Sequence, residues 1–181
     1  MQTFTPDGAA HESLSDALHT TDVAINRYRL PPGEGLPSGL HAHLDQEEVF
    51  VVLDGRVRFE RVAGPVAVDA GEAVRFAPGE YQTCVNAEES PAVVLAIGAP
   101  RESEEIRVPL DCPVCDHRGL SPERYDAEIR LVCPDCGGEH RTRGCPGCSR
   151  EAMQVAAGDA EGETVVVCPD CGAERPEPRW A

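Results

Sequence analysis

The sequence predicts a mainly β chain in two parts, a sandwich or barrel of short strands followed by two small units held together by metal. Three observations predict it. The first hundred residues are short apolar-alternating runs punctuated by Pro and Gly. Eight of the nine cysteines lie beyond residue 109. Those eight form four Cys-x-x-Cys pairs. A stretch of about 110 residues can bury one sustained core, whereas the remaining 70 or so need staples.

The runs in the first part are Val23–Leu30, Glu48–Leu53, Val57–Val62, Val66–Val68, Glu72–Phe76, Tyr81–Val85 and Ala92–Ile97. Turn residues separate them at Pro31-Pro-Gly33, Asp54-Gly55, Ala63-Gly-Pro65, Ala70-Gly71 and Pro78-Gly79. Short strands at such spacing, with Gly and Pro between them, give a sandwich or barrel. The one helix candidate is Ser13–His19, short and polar. Aromatic residues make up 4% of the chain, so the core is expected from Val, Leu, Ile and Ala. Residues 1–22 read as an N-terminal segment, 23–100 as the barrel and 101–110 as a linker.

The four cysteine pairs share one spacing: Cys112-Pro-Val-Cys115, Cys133-Pro-Asp-Cys136, Cys145-Pro-Gly-Cys148 and Cys168-Pro-Asp-Cys171. Two intervening residues let a tight turn aim both sulfurs at one ion, and the proline pre-sets that turn. Gly137 and Gly172 follow two of the pairs, where such a turn needs positive φ. Seventeen residues separate Cys115 from Cys133 and nineteen separate Cys148 from Cys168, close to the spacing of two-knuckle zinc sites. Glu128–Val132 and Glu163–Val167 are β-type runs leading into the second and fourth pairs, and Gly158–Gly162 is the turn that splits the second hairpin. The first cysteines of the units are 33 residues apart and the closing pairs 35 apart, which makes an internal repeat. The units, 111–143 and 144–176, resemble zinc ribbons. Cys112, Cys115, Cys133 and Cys136 are expected to hold one structural zinc ion and Cys145, Cys148, Cys168 and Cys171 a second, independently of the barrel. Four thiolates leave no coordination position for chemistry. A redox dithiol fits less well, because such motifs come singly beside a βαβ pattern.

All 16 basic residues are arginine, against 32 acids. Residues 1–109 carry 18 acids and 8 arginines, and residues 110–181 carry 14 and 8, so the halves are −10 and −6 and total the printed −16. Acid spread through both halves repels phosphate backbones and anionic lipid, which disfavours nucleic acid and membrane as partners. It suits a protein soluble at high salt, and we read it as halophilic. Arg141, Arg143 and Arg150 lie between the two units and read as solvated charges, with contact to an acidic partner as the other option. The opening residues lack a basic segment followed by an apolar one, and no apolar run is long enough to span a bilayer. The expected location is cytoplasmic, where reduced thiols favour metal over disulfide.

The stretch from Gly35 to Gly55 carries the chemistry. His41 and His43 are two apart, so on a strand both imidazoles point to one face. Glu48 opens the next strand and can reach the same point. Two imidazoles and a carboxylate suit Fe(II), Mn, Ni, Zn or Cu with positions left for substrate. Glu47 is the alternative carboxylate, but Glu48 shares its face with Phe50 and Val52.

Here the sequence resembles the cupin superfamily, in particular its acidic, haloarchaeal-type members. Gly35, His41, His43, Glu48 and Gly55 fit every spacing of the first cupin motif, Gly-x5-His-x-His-x3–4-Glu-x6-Gly. The second motif fits from Gly71 through Gly79 to Asn86, with its proline displaced to Pro78 and Gln82 in place of its histidine. The resemblance covers about residues 20–100 and implies a cupin jelly roll, followed here by the two ribbons. It also implies a barrel metal on His41, His43 and Glu48, with Gln82 as a weaker oxygen donor. Cys84 shares the parity of Gln82 and Asn86, so it either lines the pocket or fills the core, the core being commoner for a lone cysteine.

A cupin fold hosts many chemistries. The reading is a metal-binding protein that acts on or senses a small organic molecule, as a dioxygenase or isomerase would. The other reading is a ligand-sensing module whose ribbons contact a protein partner, and a homodimer is compatible with either.

Overall fold

Alternation of inward and outward side chains organises the first hundred residues into two facing sheets. The computed structural model describes residues 1–125, 128–141, 143–148, 150, 153–160 and 162–175. Its elements in chain order are β1 (His11–Ser13), α1 (Leu14–Leu18), β2 (Ala24–Leu30), β3 (Ala42–His43), β4 (Glu47–Asp54), β5 (Arg56–Arg61), β6 (Val66–Asp69), β7 (Ala73–Phe76), β8 (Gln82–Val85) and β9 (Ala92–Ala99). There follow β10 (Ile106–Asp111), β11 (Arg118–Tyr125), β12 (Glu128–Val132), β13 (Glu139–His140), β14 (Gln154–Ala157), β15 (Thr164–Val167) and β16 (Glu174–Arg175). One sheet runs β1-β2-β9-β4-β7 and the other β6-β5-β8. Together they form an antiparallel jelly roll.

Even-numbered positions of β2, β4, β8 and β9 turn inward. Leu30, Phe50, Val52, Cys84, Ala92, Val94 and Ala96 meet Val57, Phe59, Val68 and Phe76 in one core. Three of the chain's four phenylalanines sit at its centre, with ring centroids of Phe50 and Phe59 5.0 Å apart and those of Phe59 and Phe76 5.4 Å apart. The expected aliphatic core is therefore corrected: few aromatics does not mean none inside, and three of them are buried among the aliphatic side chains. Cys84 belongs to this core and is 1% exposed, and burial pushes its thiol up to about 12. α1 is capped by Ser13, whose side chain accepts from the Asp16 amide, the ordinary N-cap arrangement.

The C-terminal part is not joined through a free tether. Residues 101–110, expected as a linker, contain most of β10, which pairs with β3 on one side (Ile106 opposite His43, Arg107 opposite Ala42) and with β11 on the other. Its Val108 and Leu110 are buried. The sheet order is β13-β12-β11-β10-β3, so the first cysteine unit is sewn onto the barrel. The second unit is the sheet β14-β15-β16. Both units and the barrel's outer surface share a second core: Leu40, Val108, Leu110, Leu120, Leu131, Val155 and Val166, with Val62 and Tyr81 of the barrel against it. The Leu40 amide donates to the Val155 carbonyl at 2.7 Å, and Gln154 Nε2 to the Pro37 carbonyl at 2.6 Å. Each unit is too small to bury its own apolar face alone, so both pack on the barrel; the expected independence is one of zinc binding, not of packing.

Of the turn at 158–162, Glu161 lies outside the described residues, as does Pro176 at the expected end of the second unit. Among the described residues no helix is long and apolar enough to cross a membrane.

Candidate functional site

The site begins with a local backbone requirement. Gly39 adopts φ +67, and a Cβ there would lie 2.9 Å from the Val155 carbonyl oxygen, so both conformation and space favour glycine. Its carbonyl accepts a hydrogen bond from His41 Nδ1 at 2.8 Å. His41 in turn forms a β-bridge with Gln82 (His41 N to Gln82 O 3.2 Å, Gln82 N to His41 O 2.8 Å), which sets their side chains next to each other at the barrel mouth. Glu48 comes from β4, at a position opposite Gly98 on one side and Phe76 on the other.

The structure brings together every residue of the expected barrel site. Ligand atoms of His41, His43 and Glu48 all lie within 4.8 Å of one another. His41 Nε2 is 3.2 Å from His43 Nε2, and His43 Nε2 is 3.7 Å from Glu48 Oε1. Gln82 is 1% exposed; its Nε2 donates to Glu48 Oε2 at 2.7 Å, while its buried Oε1 has no partner among the described residues. Glu47 points to the outer surface instead, where Arg75 holds it at 2.5 Å.

Hydrogen-bond accounting fixes the tautomers. With Nδ1 of His41 facing a carbonyl, which only accepts, that nitrogen carries the proton and Nε2 keeps its lone pair. His43 Nδ1 lies 2.7 Å from Ser103 Oγ, and Ser103 donates its own proton to Asp45 Oδ1 at 2.5 Å. Ser103 therefore accepts from His43 Nδ1–H, and His43 Nε2 also presents a lone pair. Burial, then the nearby His41, push His43 down to about 4 despite the opposing pull of Asp45, and burial alone lowers His41. Burial raises Glu48, opposed by the Gln82 hydrogen bond. Two imidazole lone pairs and a carboxylate thus converge, beside a buried Gln82 whose amide oxygen has no partner among the described residues. Such a donor set fits a divalent cation.

Ser103 and Asp45 were not legible in the sequence, nor was Gly39. Their hydrogen bonds fix the orientation of His41 and His43, as outer partners of metal-bound histidines do. Asp45 lies inside the first histidine motif, but its partner is 58 residues away, so no local spacing reveals it.

The cysteine groups are equally closed. In the first, Cys112 Sγ is 3.7 Å from Cys136 Sγ and Cys115 Sγ 3.6 Å from Cys133 Sγ. In the second, the matching separations are 3.4 Å for Cys145–Cys171 and 3.5 Å for Cys148–Cys168. Tetrahedral zinc with Zn–S of about 2.3 Å places its sulfurs about 3.8 Å apart, whereas a disulfide needs about 2.05 Å. The grouping is sequential within each unit, not crossed. Backbone amides of Val114 and Gly147 donate to Cys112 and Cys145 sulfurs. Gly137 (φ 71) and Gly172 (φ 68) take positive φ as their positions require, and Asp116 does the same at φ 58 after the first pair. His140, which sequence spacing did not single out, places Nε2 3.4 Å from Cys112 Sγ.

Comparisons with known proteins bear on the fold. Residues 26–98 match the family model of the cupin domain. No curated protein matches the chain. Among solved structures it is similar to a cupin protein from Bacteroides fragilis, at 28% identity and a TM-score of 0.51, over 57% of this chain and 87% of that one. It is also similar to a sugar phosphate isomerase of the cupin superfamily from Silicibacter pomeroyi, at 21% identity and a TM-score of 0.50, over 78% and 82% of the two chains. The jelly roll is the cupin fold.

Proposed function

We propose that this chain, built on a cupin domain, binds a divalent transition-metal ion at His41, His43 and Glu48 with the Gln82 amide oxygen as a fourth donor, and acts on a small organic molecule there. The observation that carries the reading is the convergence of the two imidazole Nε2 atoms, 3.2 Å apart, with the Glu48 carboxylate, all within 4.8 Å of one another, beside a buried Gln82 whose amide oxygen has no partner among the described residues. Fe, Mn, Ni, Zn and Cu all accept such donors. An ion held by these residues would supply Lewis-acid or, if redox-active, electron-transfer chemistry. The chain's residues do the rest. The Asp45–Ser103–His43 relay holds one imidazole in its ligating tautomer. Phe50 and Ala96 floor the pocket and exclude water, and Tyr28, raised by burial and then by Glu48, remains a neutral phenol able to donate a hydrogen bond. Dioxygenase and isomerase chemistry both suit an ion with open positions.

The two cysteine groups hold structural zinc in this reading. Metal analysis of the purified chain, reconstituted in turn with each of the five metals, should give two zinc ions and one further equivalent. His41→Ala and Glu48→Ala should each remove only that further equivalent, and Glu47→Ala should not. A wild-type chain that takes up no third equivalent of any of the five ends the metal reading.

A further inference from the structure

The barrel mouth is part of a larger concavity. This pocket of about 1380 Å³ is lined by residues of the barrel and of both cysteine units. Pockets that enclose a drug-sized ligand measure about 300–1,000 Å³, so there is room for a molecule reaching from the histidines to the ribbons. The lining has a charge opposite to that of the protein. It contains five of the sixteen arginines (Arg101, Arg124, Arg130, Arg141, Arg143) and two of the thirty-two acids (Glu48, Glu128), a formal balance of five less two, or +3, in a chain of −16. Three of the arginines are engaged: Arg101 with Asp16 and Glu102, Arg130 with Glu139 and Glu128, and Arg141 with Glu128. Arg124 and Arg143 have no ion-pair partner among the described residues. Elsewhere the acidic surface repels anions; a concave wall of opposite sign focuses them into one place.

The β11–β12 hairpin lines the cavity from both faces, with Tyr125, Glu128 and Arg130 on one of them. Arg124 lies opposite Ile129 and Pro122 opposite Leu131 across the β11–β12 hairpin, so these four share the other face, and all four line the cavity. Arg124, Arg143 and the candidate metal ligands thus line one and the same cavity, together with apolar Pro122, Ile129 and Leu131. Guanidinium is the side chain best matched to planar or tetrahedral oxyanions.

We propose that the ligand is a small organic anion, held at one end by the barrel ion and at its remote phosphate or carboxylate by Arg124 and Arg143 of the first ribbon. The ribbon is thereby part of the binding site and sets its charge selectivity. This inference rests on the reading of the barrel mouth as a small-molecule metal site.

Calorimetry on the full chain, with its zinc and loaded with Mn(II), tests it with matched probes. 6-Phosphogluconate is compared with gluconate, and 2-hydroxyadipate with 2-hydroxyhexanoate. Each pair shares a chelating hydroxy acid and differs in the remote anion. At least one charged probe should bind about tenfold more tightly than its partner, as expected for charge-assisted hydrogen bonds, and the preference should shrink as salt is raised. Which pair shows it tells phosphate from carboxylate. The preference should vanish in the double variant Arg124→Ala/Arg143→Ala with zinc content and melting temperature unchanged. It should survive in Arg56→Ala/Arg58→Ala, which removes the same charge from outside the cavity. No preference in the wild type, or a preference that persists without Arg124 and Arg143, overturns the proposal. Failure of the metal reading is seen separately, as a missing third metal equivalent, and the same probes then report on the arginine wall in the zinc-only chain.

Discussion

His43 and Ile106 face each other in antiparallel register, so the strand bearing His43 is paired with the strand that runs into Cys112. The candidate barrel site and the first cysteine group therefore share a backbone. A change at one reaches the other through a five-residue path, Ile106 to Leu110, that is largely buried.

Cys133→Ser should accordingly do more than release one zinc ion. Structural zinc contributes folding free energy directly, and Leu131 and Cys133 pack in the same core as Val155 and Val166 of the second unit. Loss of the first zinc should loosen β10 and lower barrel metal affinity by about tenfold, the size of a disturbed outer-shell contact. Metal titration followed by mass spectrometry reads both effects. Unchanged barrel affinity in Cys133→Ser would show that β10 stays ordered without its zinc.

Gln82 offers a graded test of the fourth donor. Gln82→His should tighten metal binding, because imidazole nitrogen is a stronger ligand than an amide oxygen for these metals. It should be seen as a larger rise in melting temperature on adding metal, since a ligand that binds only the folded state stabilises it by mass action. Gln82→Ala should weaken binding and also free Glu48 of its 2.7 Å hydrogen bond. Equal metal-induced shifts in all three chains would remove Gln82 from the ligand set.

Ser103 and Asp45 act through His43. Ser103→Ala and Asp45→Asn should each reduce metal affinity by about 10- to 100-fold, the range for outer partners of ligating histidines, while leaving two zinc ions in place. Asp45 also accepts from the Glu104 and Glu105 amides at 2.8 and 3.3 Å. The Ser103 hydrogen bond, followed by the Glu104 amide, holds its carboxyl below the usual aspartate range. A lowered folded-state pKa stabilises the fold above the unfolded value and loses that stabilisation as pH falls through the folded value. The melting-temperature gap between wild type and Asp45→Asn should thus be full at neutral pH and close only in acid below the usual aspartate range. A gap that closes nearer neutrality would point to a different titrating group.

Phe59 is fully buried between Phe50 and Phe76. Phe59→Ala should destabilise the barrel by about 3–5 kcal/mol, the usual cost of truncating a buried ring. Chemical denaturation measures it, and a loss below about 1 kcal/mol would mean that the three-ring cluster is not the centre of the core.

The local patterns in the sequence were enough for much of this. Strand alternation around Val49–Leu53 and Ala92–Ile97 sets which side chains face inward, because strand side chains alternate with period two. The same parity puts Glu48 inward and Glu47 against Arg75 on the surface. Knuckle spacing groups Cys112 with Cys136 and Cys145 with Cys171, since a two-residue gap and a closing hairpin leave little geometric freedom. β11 escaped notice because Arg118–Tyr125 contains Pro122 and a charged end, with no apolar alternation to mark a strand.

What the sequence by itself determined was therefore whatever depends on neighbours within a turn or a strand: the β character, the His-x-His pair with Glu48, and the two sets of four cysteines. The tertiary structure alone decided how these parts are joined. Residues 101–110 carry β10 because pairing with β3 satisfies both strands' backbone groups and buries Val108 and Leu110. Ser103 reaches His43, and Arg124 and Arg143 reach the barrel's cavity, across gaps of 60 residues or more in the chain. Contacts at that separation leave no periodic or spacing signal, because they are fixed by the packing of whole elements around a shared apolar core.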